Sequence, residues 1–546
     1  MTRPLAWLAA LLALGAATAA SALEVNTPVT DSVNVIETLK FIRDITDPAQ
    51  PFYAFVNRLD LQASKGPFAA GVRYDTEAYL LNSVYYVEYI PRKFFFQYDQ
   101  KPIYARVGDF FARFGHGLTL SLLKQDEFGM DTTIQGGVFR ASYQNFFEIE
   151  GLGGMVNLGD DVAFVPQRAE APIPSFFNGR DVLWGGRLMA GDPQYVRVGG
   201  SWVGGTLRYD DTSAFAAYDR DNRINIYSAI AEAPHLGKAG SIEAEYAWME
   251  YDEDHKNGVK NVLDEGRAAY LLSNWYLGPV TLILEGTDYY QFNYFQSSPN
   301  ETIPGSSPVT YNSPPSLEYT DIAFGHLPNF VDAIGGRARV DYTIPGIDLA
   351  TYVNYLRVES HPTQPATLAE HYESTKGNPW QTWIQHIFAG VDRVFSNGAT
   401  ATLYGGYREI VEGRFLHGQV NGATPIVFPW SINAEVQVKQ FQGLGIDRSA
   451  QYYDQVNVLG LAYAPWVSLA GTYEWSNEPN GGIITLDAPK QNQPNFWNVE
   501  AIIVPAQWAR IDIAYGRYIG GLVCSGGVCR QMPPFKGLKT EFMFRF

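Results

Sequence analysis

Two cysteines, a shortage of positive charge and the lack of any long apolar run past the first residues set the limits of this 546-residue chain. Lys and Arg number 40 against 57 Asp and Glu, a formal net charge of −17, whereas nucleic-acid binding wants a basic stripe. Every later apolar stretch is broken by Gly, Asp, Arg or Asn within a few residues, so no spanning helix is expected. Catalytic signatures are missing too: there is no G-x-S-x-G, H-E-x-x-H, P-loop or dinucleotide fingerprint. Neither an enzyme nor a cofactor is expected. The eight histidines are scattered, and His116, between Gly115 and Gly117, reads as a turn or lumen residue. Asp252-Glu253-Asp254 beside His255 lacks the spacing of a calcium loop, so it reads as a solvated loop tip and no metal site is expected.

What is present is 46% hydrophobic and 14% aromatic residues with 52 Gly, a profile that excludes disorder, collagen and coiled coil. No repeating domain punctuation appears, so one large β-rich body is expected in place of several domains. The N-terminus adds a compartment. Met1-Thr2-Arg3 precedes an apolar run from Leu5 to Leu14 and small residues ending in Ala20-Ser21-Ala22, which reads as a secretory signal peptide over residues 1–22. Its removal takes away Arg3 alone among charged residues and turns the formal −17 into −18.

Alternation is the recurring pattern. Leu538, Thr540, Phe542, Phe544 and Phe546 share one parity, while Lys539, Glu541, Met543 and Arg545 share the other, and in a strand these sets face opposite sides. The same period of two sets Arg58, Asp60 and Gln62 against Leu59 and Leu61, and Glu243 and Glu245 against Tyr246 and Trp248. Such segments run roughly 10 to 14 residues, longer than ordinary soluble strands and matched to a bilayer crossing. Aromatic residues cluster near their ends, as interfacial girdles require. The expectation is therefore a large all-β transmembrane antiparallel barrel in a bacterial outer membrane. Its strands should number on the order of 22 to 26.

Bacterial barrels have short periplasmic turns and long outer loops. Counting back from the C-terminus, the connection near Gly520–Phe535 is long, Pro505-Ala506 short, Asn477–Pro494 long and Ala464-Pro465 short. Keeping that parity requires a strand near Gly418–Val427 despite Pro425. Further outer loops are expected near Val156–Arg180, Asp252–Asp264, Asn293–Ala333 and Glu359–Asn378. The barrel proper is expected over residues 52–546. Residues 23–51, with Val33–Ile42 among them, remain open between a short helix, a first strand and a plug-like segment, and the Pro-rich stretch from Asn293 to Pro328 cannot stay long in a ladder.

Two blocks carry a family resemblance. One runs from Asn82-Ser83-Val84-Tyr85-Tyr86 through Val107–Phe111 and Phe114-Gly115-His116-Gly117-Leu118 to Phe128-Gly129-Met130-Asp131 and Gly137. The other, Gly520-Gly521-Leu522-Val523-Cys524-Ser525-Gly526-Gly527-Val528-Cys529-Arg530, contains the form G-x-V-C-x-G-G-V-C-R. With these the chain resembles an uncharacterised family of bacterial outer-membrane barrels, a domain of unknown function represented among Bacteroidetes-type exported proteins. The resemblance implies fold and location and no activity.

Physically, Cys524 and Cys529 are expected to pair in an oxidising compartment, since glycines between them allow a tight reversal. Charges on strands are expected to face the lumen, because arginine on the lipid side costs ~2–4 kcal/mol near the midplane. The candidates are Arg58, Asp60, Arg106, Arg187, Arg197, Glu243 and Glu245. Further along they are Arg267, Glu285, Arg337, Arg339, Asp341, Arg510 and Asp512. The alternating end of the chain resembles the terminal strand of outer-membrane barrels, and that resemblance implies Phe542, Phe544 and Phe546 as the signal for the barrel-assembly machinery. Functionally, a porin-like channel for small polar or cationic solutes is favoured. The alternative is a surface scaffold, or a component of an export or adhesion assembly with a protein partner at the outer loops. Outer-membrane lipid is the remaining expected partner, and nucleic acid is not one.

Overall fold

A strand alternating apolar and charged residues needs two different environments, and a closed barrel with lipid outside supplies both. In the computed structural model the described residues form one closed sheet of 24 antiparallel strands, with three small two-stranded sheets in its connections. The structure describes residues 32–46, 51–81, 84–122, 124–125, 130–131, 133–156, 181–208, 221–253, 265–290, 292, 311–317, 333–360, 382–410, 413–443, 451–477, 495–518, 521–525, 528–532 and 535–546. None of these is helical. The signal peptide and, past Val156, the outer loop expected near Val156–Arg180 lie outside the described residues.

Each barrel strand pairs with its neighbours in sequence, and the ends meet. Ser32–Asp44 pairs with Phe52–Lys65 on one side and with the last strand, Phe535–Arg545, on the other. Closure removes the free edges that would otherwise template aggregation or leave backbone groups unpaired in lipid. Of the alternatives open for residues 23–51, a strand is what the described part contains, and the barrel begins at Ser32, ahead of Phe52. The strand spanning Pro425 is also present: Gly413–Val427 pairs on both sides, with its register shifting after Pro425, where the ring removes a ladder donor.

Connections separate by end. At one end none exceeds six residues, and several are two-residue reversals such as 66–67 and 278–279. Gly66 and Gly278 supply the positive φ those reversals use, +55° and +68°. All the long connections lie at the opposite end.

The two faces are chemically distinct along a single strand. On Gly240–Glu253 the inward Glu245 and Ala247 are 2% and 0% exposed, while the outward Tyr246 and Trp248 are 47% and 41% exposed. Leu61, Phe94, Phe96, Val107, Leu403 and Tyr515 repeat the outward pattern around the wall. An aromatic and aliphatic belt of this kind is solvated by lipid, not water.

Candidate functional site

The inner wall collects the strand charges into ion pairs. Arg140, Glu150, Arg187, Glu148, Arg197 and Glu232 form an alternating ladder across five strands. Arg140 meets Glu150 at 2.9 Å, Arg187 bridges Glu150 at 3.3 Å and Glu148, and Arg197 bridges Glu148 at 3.1 Å and Glu232 at 3.9 Å. Arg337 meets Glu285 at 2.5 Å, and Glu285 also accepts from the Tyr270 hydroxyl at 2.5 Å. Arg339 pairs with Asp341 at 2.7 Å, and Arg510 with Asp512 at 3.0 Å. Arg58 stands 4.0 Å from Asp75, and Asp60 lies opposite Arg73 on the same face. Arg106 stacks over the Phe95 ring at 3.8 Å and donates to the Asp109 carbonyl at 2.8 Å.

One expected lumen residue points the other way. Arg267 alternates with the buried Gly266 and Ala268 and shares the outward face with the exposed Leu271. It sits near the loop end of its strand with its guanidinium 5.0 Å over the Tyr290 ring. At that height a long side chain reaches the headgroup region, so the cost that drives midplane arginines inward is small.

The expectation from strand parity alone missed what fills the wall. Residues 111–122, following Ile103–Phe110, fold into the lumen, and Phe114, Leu118 and Leu120 are fully buried there. They pack against an apolar patch of the inner wall that includes Ile134, Leu152, Leu183, Val203, Ile226 and Met249. This is a small water-excluding core inside the barrel, and it holds because loop and wall bury their apolar surface against each other. The signal was present in the apolar spacing Phe114, Leu118, Leu120, Leu122 within a connection that has no lipid to face.

A second inward segment, 311–317, braces the first. Tyr311 carbonyl accepts from Ser121 N–H at 2.7 Å, Ser313 N–H donates to the Gly117 carbonyl at 2.9 Å, and the Asn312 amide donates to the Leu118 carbonyl at 3.2 Å. The Tyr311 hydroxyl donates to Asp181, and the Tyr289 hydroxyl to the Pro315 carbonyl at 2.8 Å. On the wall side, Thr119, Ser201 and Ser228 form a chain of hydroxyl contacts at 2.8 Å each. At the loop tip, His116 lies between Glu243 and Glu245.

Exposure differs along the barrel axis. Toward the loop end the inner wall is buried, including Leu356, Ile384, Arg408 and His417; His386 Nε2 and His417 Nε2 are 2.8 Å apart there. Toward the turn end, charged inner side chains stay in contact with the lumen: Arg510 is 50% exposed, Glu541 30% and Asp341 28%. Among the described residues no cluster of three or more His, Cys, Asp or Glu is arranged to hold a metal ion.

The sequence profile of DUF6029, a family of unknown function, matches residues 23–314 and 466–546, more than half of the chain. The chain belongs to that family. The DUF6029 match spans the inward loop, the start of the segment that braces it, and both strands of the barrel seam. No curated protein matches the chain significantly. Similar solved structures include the siderophore receptor PirA from Pseudomonas aeruginosa, 9% identical over 95% of this chain and 81% of that one, with a TM-score of 0.46. The outer membrane transporter YddB from Escherichia coli is 8% identical over 95% and 81%, with a TM-score of 0.45. The translocation pore of the P pilus usher PapC is 8% identical over 94% and 98%, with a TM-score of 0.39.

Proposed function

We propose that this protein is an outer-membrane channel for small polar solutes, with cations preferred over anions, narrowed in its outer half by loops folded into the lumen. The observation that carries the reading is the division of the inner wall: charged side chains in contact with the lumen toward the turn end, and an apolar shelf holding residues 111–122 toward the loop end. A barrel of more than about 20 strands is too wide for its own side chains to fill, so inward segments set its bore. Paired arginines and carboxylates along the wall present a locally neutral but strongly polar surface, suited to orienting polar solutes. The acidic excess of the whole chain, −17, favours cations at its mouths. In bacterial barrels short turns are periplasmic, which directs the constricted half outward.

Planar-bilayer recording of the purified protein under a salt gradient tests the reading. Discrete conductance with a reversal potential of cation-selective sign is expected. Anion preference would overturn the charge argument, and no conductance from correctly folded protein would favour a surface scaffold.

A further inference from the structure

One side chain ties the tip of the inward loop to the wall at the strand Gly240–Glu253. His116 Nε2 is 3.0 Å from Glu243 Oε2, its Nδ1 is 3.5 Å from Glu245 Oε2, and its backbone N–H donates to the same Glu245 oxygen at 2.6 Å. The loop is built to approach that closely. Gly115 has φ +51°, and a Cβ there would fall 2.5 to 2.9 Å from the Glu245 carboxylate. The other ties, from Asn312, Ser313 and Thr119, involve amides and hydroxyls that do not titrate near neutrality.

The groups facing the imidazole are few. From its own loop, Arg113 donates to the His116 carbonyl at 3.0 Å. From the strand Gly240–Glu253 come Glu243 and Glu245, and from Glu265–Leu277 comes Tyr270, whose ring centroid is 4.7 Å away. Behind Tyr270 stand Glu285 and its partner Arg337. Histidine is the one of these residue types whose ordinary titration falls near neutrality.

We propose that His116 is a proton-operated latch: as imidazolium it pins the loop to Glu243 and Glu245, and as neutral imidazole it lets the loop leave the wall. A doubly protonated ring hydrogen-bonds Glu243 through Nε2 and presents a second N–H, Nδ1, to the Glu245 carboxylate as an ion pair at 3.5 Å. The neutral ring donates to one and turns a lone pair toward the other, which repels it. Burial disfavours the imidazolium, but the hydrogen bonds and charges of Glu245 and Glu243 outweigh that and hold the His116 pKa above the usual histidine value. The sign follows: the latch is fully engaged below the ordinary value of ~6.5 and is lost as pH rises through the raised one. The consequence for flux rests on the channel reading, whereas release of the loop does not.

Hydrogen exchange on the full-length protein in lipid nanodiscs tests it, expressed as protection factors for residues 113–122 so that intrinsic exchange chemistry cancels. Between pH 6 and 9 the wild-type loop should lose about tenfold protection, while the barrel strands keep theirs. His116→Gln should give a pH-independent loop. Glu243→Gln, at a partly exposed position, should move the midpoint down by about one unit. A flat wild-type profile, or an unchanged response in His116→Gln, overturns the latch. Conductance on the same preparation separates the two claims. A switching loop without conductance leaves the latch standing and removes the channel, and conductance with a pH-insensitive loop does the reverse.

Discussion

Asp512 and Glu541 stand directly opposite each other on the inner wall, two carboxylates as Cα partners on neighbouring strands. Like charges in that position destabilise a sheet, and here each has its own cation: Arg510 3.0 Å from Asp512 and Lys40 3.2 Å from Glu541. Because all four side chains reach the lumen, the pairs are screened and contribute little to stability. Their balance sets the local potential instead. Lys40→Gln should therefore change the barrel's thermal transition by less than about 1 kcal/mol. Its salt-gradient reversal potential should move toward stronger cation preference. An unchanged reversal potential would show that this stretch of wall does not face the conducting path.

The hairpin formed by Gly521–Ser525 and Val528–Met532 sets Cys524 and Cys529 as Cα partners. Directly opposed residues on antiparallel strands lie about 4.5–5.5 Å apart, inside the range a disulfide spans. Mass spectrometry of unreduced protein should find the peptide two hydrogens lighter than its reduced form. Quantitative thiol labelling in freshly isolated membranes would refute the bond. So short a loop removes only ~1–2 kcal/mol of chain entropy. Replacing both cysteines with serine should loosen the hairpin and leave the barrel transition in place.

Phe546 completes the seam of the barrel. Its N–H donates to the Val35 carbonyl and its carbonyl accepts from the Val35 N–H, both at 2.8 Å, and its ring stacks on Trp508 at 5.9 Å. Deleting it strands two backbone groups at the closure, at about 1–3 kcal/mol for each that finds no other partner. Phe546→Asp keeps the backbone and removes the aromatic face that ends the terminal alternation with Phe542 and Phe544. Both variants should slow insertion, read as less heat-modifiable protein in the membrane and more in the periplasm. Wild-type amounts in both would argue against a role for this residue in assembly.

The period of two was legible because it is a property of adjacent residues: Arg58 and Asp60 against Leu59 and Leu61 needs no knowledge of the rest of the chain. Turn and loop alternation was legible for a similar reason, since Pro, Gly and Asn mark each break locally. Arg267 broke the parity rule because the rule prices an arginine at the membrane midplane, and this one lies near the strand end over Tyr290. Of the lumen assembly, only the apolar spacing of Phe114, Leu118, Leu120 and Leu122 lay in the sequence; the contacts that place it did not. His116 meets Glu243 and Glu245 across 127 and 129 residues of chain, and Asn312 meets Leu118 across 194. No spacing within a window of ordinary length encodes such contacts; they follow only once closure has put the strand Gly240–Glu253 within reach of the loop.

Gly115→Ala probes that long-range contact at its tightest point. The methyl group meets the Glu245 carboxylate at 2.5 to 2.9 Å, and the backbone sits at φ +51°, where a side chain costs about 1–2 kcal/mol. Overpacking adds about 1–3 kcal/mol unless Glu245 moves. Glu245 has little freedom to do so, since its carboxylate is buried and accepts the His116 N–H. The strain falls on the loop and not on the wall, because the loop is held by a handful of hydrogen bonds and a small apolar core while the strand Gly240–Glu253 is paired along its length on both sides. The variant should therefore keep the wild-type barrel transition and become open to limited proteolysis within residues 111–122. On the channel reading it should also conduct more than wild type at neutral pH. A loop as resistant to protease as wild type would show that Glu245 yields instead, and that the contact at Gly115 does not set the loop's position.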